Sequence, residues 1–278
     1  MLQNDPFFWY KRTEIVIPRV RGEHLLMHIT DTHLNARDEL STPEEREKFD
    51  AQEALWAAFK GKFAEANHEP CGEAQQISTK EAFDKQLALA RELRSEALLL
   101  AGDNLDYMHG AGARYLARSL AAYPGNFLCV PGNHEADACE GAWSAGVQVL
   151  ELEGFRVVAV NDRELTVSAE DLEALRALCA EKVPILLLCH VPIMTPLCRA
   201  ACTEELFGRL DYFYIDPEKA DANARAFVAL CETEDAIRAV LCGHVHGFHA
   251  MELAPGKPQL VGAPGMIGAV HLVTVRGE

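Results

Sequence analysis

The chain is short of positive charge: its 278 residues carry 26 Lys and Arg against 42 Asp and Glu, a formal net charge of −16. An acidic body of this kind repels phosphate backbones and anionic lipid, which argues against non-specific nucleic-acid binding and a membrane-surface role. Long apolar runs are missing too. None approaches the roughly 18 residues that a membrane-spanning helix needs. The start, MLQNDPFFWYKR, lacks a basic stretch leading into an apolar one, so no secretory leader is expected. Nine cysteines form an odd set with no CxxC pair, which leaves neither a disulfide framework nor a thiolate zinc knuckle. Several lie inside apolar runs (FLCV, LLLCH, VLCGH), where a thiol behaves as a small hydrophobe. A reduced, cytoplasmic protein is expected. No internal repeat, low-complexity tract or linker interrupts the chain, so one domain over residues 1–278 is expected, and the globular composition excludes disorder, collagen and coiled coil.

What the sequence does have is a series of short apolar runs, each ending in a polar cluster able to bind metal. LLMHIT leads into Asp31-Thr32-His33, ALLLAG into Asp103-Asn104, and FLCVPG into Asn133-His134-Glu135; PILLLC leads into His190, and AVLCG into His244-Val245-His246. Continuous apolar runs of this length read as strands covered on both faces. Polar groups at their C-terminal ends stand where open α/β sheets place ligands. Helical patterns fall between. Thr42-Pro43-Glu44-Glu45 supplies an N-cap, a first-turn proline and an N3 glutamate. The helix it opens carries Phe49, Trp56, Phe59 and Phe63 as a stripe expected in the core. Further helices are expected over Thr79 to Ser95, from Ser168 onward, and from Lys219 to Thr233. Residues 35–94 read as a helical insertion beside the sheet and 191–216 as an irregular site-side loop. The stretch after His246 reads as antiparallel closing strands. The aromatic start Phe7-Phe8-Trp9-Tyr10 docks either on the domain or on a neighbouring subunit.

Asp31, His33, Asp103, Asn133, His190, His244 and His246 make a set of carboxylate, amide and imidazole donors without a thiolate. Mixed oxygen and nitrogen ligands suit Mn, Fe, Co, Ni or Zn. The set is too large for one such ion and suits two if a carboxylate bridges them. Asp-x-His and His-x-His at strand ends would aim both side chains at one ion, because residues i and i+2 share a face.

Taken together, Asp31-x-His33, Gly102-Asp103-Asn104, Gly132-Asn133-His134-Glu135, His190 and Gly243-His244-x-His246 resemble the signature blocks of the calcineurin-like metallophosphoesterases. They follow the family's order from about Leu25 to Gly247. The stretch between Asp31 and Asp103 is long for that family, which agrees with an insertion. The resemblance implies a four-layer α/β/β/α sandwich of two facing mixed sheets, with the helical insertion after the first strand. It implies a phosphoric ester hydrolase with two divalent ions. Asp31, His33 and His246 would hold the first ion, Asn133, His190 and His244 the second, and Asp103 would bridge. It further implies that His134 stabilises the transition state or protonates the leaving oxygen, while a hydroxide activated by both metals attacks phosphorus in line. Such a pair of ions reconciles a phosphorylated substrate with the net charge, since a surface field is screened within about 10 Å.

The expected partner is therefore a small phosphomonoester or phosphodiester, with no membrane and no nucleic acid. A phosphoprotein substrate, a catalytically silent scaffold of the same fold and a single-metal protein are the alternatives. His28 and His249 read as core or supporting histidines, His109 as a surface-loop residue, and Cys198 with Cys202 as thiols without a role. Asn104 resembles a position that helps fix the site loop.

Overall fold

The computed structural model describes residues 5–68, 77–108, 110–201 and 214–278. Strand β3 (Ala97–Ala101) shows why the apolar runs do not alternate. All five residues are buried: Ala97, Leu99 and Ala101 join a layer shared with a second sheet, while Leu98 and Leu100 lie under helices. β7 (Ile185–Leu188) repeats the arrangement, with Leu186 and Leu188 between the sheets and Ile185 and Leu187 on the helical side. A strand covered on both faces has no polar side to show.

Two mixed sheets result. The first runs in the order β1 (Trp9–Val16), β11 (Ala269–Arg276), β2 (Glu23–Ile29), β3, β4 (Asn126–Val130). β2, β3 and β4 are mutually parallel, and β11 is antiparallel to β2. The second runs β5 (Gln148–Leu152), β6 (Phe155–Ala159), β7, β8 (Ile237–Cys242), β10 (Lys257–Val261), β9 (His249–Ala254), parallel from β6 to β10. Helices α1 (Pro43–Ala66), α2 (Thr79–Leu93) and α3 (Gly110–Ala121) cover the outer face of the first sheet. α4 (Ala169–Ala180), α5 (Pro196–Ala201) and α6 (Ala222–Thr233) cover the second. The layers therefore read α/β/β/α.

Local chemistry sets the helix ends. Thr42 with Glu45, and Ser78 with Glu81, form reciprocal capping boxes at the starts of α1 and α2, each contributing about 1 kcal/mol. α6 ends on Lys257, whose buried Nζ donates to the carbonyls of Cys231, Glu232 and Glu234 at 2.8–3.0 Å. No helix among the described residues is long and apolar enough to cross a membrane.

Three expectations change. The insertion follows the second strand rather than the first, because the aromatic start is itself part of the sheet. Phe7, Phe8 and Trp9 are buried in the chain's own core, and Trp9 opens β1 alongside β11. The closing strands are only partly antiparallel: β9 and β10 pair that way, but β10 joins β8 and β11 joins β1 in parallel. The aromatic stripe of α1 is not core throughout, because much of this helix faces solvent. Trp56 is buried, Phe49 and Phe63 are half-buried, and Phe59 is 37% exposed. Cys71, His109, Cys202 and residues 202–213 of the 191–216 loop lie outside the described residues.

Candidate metal centre

The C-terminal ends of β2, β3, β4, β7 and β8 bring their five blocks together where the two sheets converge. Backbone bonds lace the loops: Asp31 N–H donates to the Gly102 carbonyl at 3.0 Å, His33 N–H to Asp103 at 2.9 Å, and Gly243 N–H to His190 at 2.9 Å. At the crossing points there is no room for a side chain. A Cβ on Gly243 would stand 1.7 Å from Thr30 Oγ1, and one on Gly102 2.3 Å from His190 Nδ1.

Strand pleat does not aim the paired ligands, contrary to the i, i+2 expectation. Asp31 and His33 have φ of 51° and 42°, His244 and His246 72° and 53°, and Asp103 48°. These five make up half of the ten non-glycine residues with positive φ among the described residues. Left-handed backbone costs roughly 1–2 kcal/mol at such residues and persists where surrounding contacts over-determine it. Tight turns beyond the strands, held by the inter-loop bonds, direct these side chains.

The donors form two groups that share Asp103. In the first, ligand atoms of Asp31, His33, Asp103 and His246 lie within 4.8 Å of one another; in the second, those of Asp103, His190 and His244 do. His33 Nε2 and His246 Nε2 are 3.0 Å apart, and His246 Nε2 is 3.3 Å from Asp31 Oδ1, which is buried with no hydrogen-bond partner. Asp103 reaches one group with each oxygen: Oδ2 is 3.8 Å from His33 Nε2, and Oδ1 is 3.5 Å from His190 Nε2. Asn133 Oδ1 joins the second group, 3.2 Å from His190 Nε2. The Ala101 carbonyl takes His190 Nδ1 at 2.8 Å and leaves Nε2 facing inward. Lone pairs converging on a buried, unpartnered carboxylate oxygen are the arrangement a divalent cation satisfies. The residues present fit two such ions, one on each side of Asp103.

The electrostatics agree. Burial pushes His33 down to about 3, so its imidazole is neutral and able to ligate. Burial opposes ionisation of Asp31 and Asp103, yet neighbouring imidazoles outweigh it and hold both below the usual carboxylate range. Burial likewise lowers His190, but the Asp103 carboxylate overrides this and holds it up at about 10, so His190 carries a proton that a bound cation would displace. Two ionised, buried carboxylates thus create a demand for positive charge at this edge.

His134 is open, with its side chain 35% exposed, and its ring falls in a third group of possible ligand atoms with His33 and Asp106. Its N–H donates to Asp103 Oδ1 at 3.1 Å, and its Nδ1 donates to the Asp106 carbonyl at 2.6 Å, which leaves Nε2 3.9 Å from Asp103 Oδ2 and directed at the site.

Several supporting residues had no role in the sequence reading. Glu135, 3% exposed, takes Leu105 N–H on Oε1 at 2.6 Å, and Gly132 N–H and Asn104 Nδ2 on Oε2 at 2.8 and 3.2 Å. It thereby ties the loop of Asp103 to the loop of Asn133. Burial and the Asp103 charge push its pKa up to about 8, while the Gly132 and Leu105 N–H groups pull the other way. Asn104 also donates to the Val130 carbonyl at 2.8 Å, so it does fix the site loop. Asp162 accepts the N–H groups of His190 and Val191 at 2.8 and 3.0 Å. Its signal was present in the sequence, since FRVVAV leads into Asn161-Asp162 just as the other runs lead into their blocks. Asp106 Oδ1 lies 3.7 Å from His33 Nδ1 and accepts Trp56 Nε1–H at 2.9 Å.

His28 pairs with His271 in the core, Nδ1 to Nδ1 at 3.3 Å. His249 is half-buried at the start of β9, and Cys198 is buried.

Compared with known proteins, the sequence pattern described as calcineurin-like phosphoesterase matches residues 24–248. No curated protein sequence matches the chain. Among solved structures, a dimetal phosphatase from Danio rerio is similar with a TM-score of 0.49 and 11% identity, over 87% of this chain and 88% of that one. A purple acid phosphatase from yellow lupin gives 0.49 and 11%, over 91% of this chain and 45% of that one. Identities this low say nothing of substrate.

Proposed function

The chain belongs to the calcineurin-like phosphoesterase family, and from that premise we propose that it hydrolyses a small phosphoester at a centre for two divalent ions between its sheet edges. The observation that carries the reading is Asp103, whose two oxygens face two separate groups of nitrogen and oxygen donors. In this reading Asp31, His33 and His246 hold one ion with Asp103, and Asn133, His190 and His244 hold the other with it. Bound divalent ions supply Lewis acidity toward phosphoryl oxygens and a nucleophile near neutral pH.

The chain's own residues do the rest. Glu135, Asn104 and Asp162 keep the ligand loops in register. The Asp106 carbonyl fixes the His134 ring through Nδ1, so that a protonated His134 presents Nε2–H to the oxygen that leaves phosphorus. Asn133 and His134 are the exposed members of the set, so the substrate is read as approaching from their side.

Net charge of −16 supports a small substrate rather than a nucleic acid. The seven described cysteines are free and buried, which supports a reducing compartment such as the cytoplasm. Mn, Fe, Co, Ni and Zn all suit the donor set.

The test uses metal-free protein, with each of these ions titrated back while p-nitrophenyl phosphate and bis-p-nitrophenyl phosphate are followed. Turnover rising toward two ions per chain, and lost in Asp103→Asn, is the expected result. The preferred chromogen separates a monoesterase from a diesterase. Two ions bound with no turnover on either ester would favour the silent scaffold, and binding of a single ion would sink the paired centre.

A further inference from the structure

Helix α1 belongs to the insertion, yet its last turns reach the donors on one side of the centre. Trp56 packs on His33 with ring centroids 4.4 Å apart, and Phe63 meets His246 edge to face at 4.7 Å. Asn67, which caps the helix, does more. Its Nδ2 donates to the Phe63 carbonyl at 2.8 Å, closing the last turn, and to the His246 carbonyl at 2.9 Å; its Oδ1 accepts Phe248 N–H at 2.8 Å. One amide thus grips the backbone of a proposed ligand and that of the residue two places on.

The two halves of the Gly243–Phe248 loop are held differently. At the His244 end, Gly243 N–H donates to the His190 carbonyl at 2.9 Å and His244 N–H to Asp31 Oδ2 at 3.0 Å, so the sheets themselves anchor it. At the His246 end the anchor comes from α1. His246 needs one: its backbone is left-handed, with φ of 53°, and its side chain is 17% exposed against 0–1% for His33 and His190.

We infer that Asn67 is a positioning residue for His246, which makes the inserted helix part of the site for the first ion. This rests on the two-ion reading above. Whatever holds His246 in its ligating turn strengthens the first site selectively, because the second draws on Asn133 and on His244 and His190, which Asp31, Asp162 and the Ala101 carbonyl hold. Linkage runs both ways: if docking of α1 favours the first ion, that ion favours docking of α1 by the same factor.

The experiment titrates Mn(II) calorimetrically into metal-free wild type, Asn67→Ala and Asn67→Asp, with amide hydrogen exchange over residues 44–66 measured alongside. Wild type binds two ions, and Mn(II) slows exchange in α1. In Asn67→Ala one affinity falls by about 10- to 100-fold, the range for residues that orient a ligand, while the other stays within about twofold. The slowing in α1 shrinks with it. Asn67→Asp keeps the acceptor for Phe248, loses the donor to His246, and falls between. Two unchanged affinities in both variants would overturn the inference. So would an equal fall in both affinities, which would mark Asn67 as a general structural residue. Fewer than two ions on wild type would defeat the two-ion reading itself, and this inference with it.

Discussion

Replacing Glu135 by Gln, compared above pH 8 where the carboxyl is ionised, tests whether the carboxylate between the two site loops accepts hydrogen bonds on both oxygens. Three N–H donors surround it: Leu105 on Oε1, and Gly132 and Asn104 on Oε2. A glutamine of the same size has one acceptor. If its oxygen keeps Gly132 and Asn104, its NH2 faces the Leu105 N–H, and two buried donors lose their partners. Each unsatisfied buried group costs about 1–3 kcal/mol, so the loss is about 2–6 kcal/mol. At roughly 2–3 °C per kcal/mol for a chain of this size, the thermal midpoint of the metal-free protein falls by roughly 4–18 °C. A second readout follows from geometry. Glu135 ties the loop of Asp103 to that of Asn133, so ion affinity falls as well, by about 10-fold or more. Calorimetry with Mn(II) and thermal scans in a chelator measure the two effects separately. A midpoint within about 1 °C of wild type, with unchanged Mn(II) binding, would refute the reasoning. It would mean that the carboxyl does not clamp the loops through both oxygens.

Other expectations follow from the same geometry. His134→Ala slows hydrolysis of an alkyl phosphoester by about 10²–10⁴-fold and of a p-nitrophenyl ester much less, because p-nitrophenolate leaves without a proton; equal losses on both would remove the general-acid role. Lys257→Met leaves the terminal carbonyls of α6 without their buried donor and costs about 2–4 kcal/mol, read as a lower midpoint with Mn(II) binding unchanged. His271 is 3% exposed, and burial pushes it down to about 4. The folded state therefore resists its protonation while the unfolded chain takes the proton near the ordinary value of 6.5. Its contribution to stability is complete above pH 6.5 and is lost as pH falls toward 4, up to about 3 kcal/mol. His271→Gln flattens that limb in scans between pH 4 and 8, and parallel profiles would contradict the assignment.

The donors of the centre and their order were legible because metal chemistry admits few side chains, and because strands buried on both faces leave apolar runs that end where the site begins. β3 and β7 are of this kind. β6 was passed over because Arg156 interrupts its apolar run, although the run still leads into Asn161-Asp162. The structure keeps that guanidinium largely buried, with Glu151 and Glu181 at 3.1 and 2.8 Å. β1 was hidden for another reason. Its sequence, WYKRTEIV, shows a charged face, and its partner β11 lies at the far end of the chain.

By itself, then, the sequence determined the strands buried on both faces, the seven candidate donors and the capped helices, all of which depend on local pattern or on side-chain chemistry, while the sandwich followed from the family resemblance that those donors carry. Only the tertiary structure decided which donors share an edge, that left-handed turns rather than strand pleat aim them, and that Glu135 and Asp162 hold them. It alone brought Asn67 to His246 and Phe248, 179 and 181 residues away in the chain. Contacts of that range leave no periodicity for a sequence to display, because they exist only once both sheets have packed.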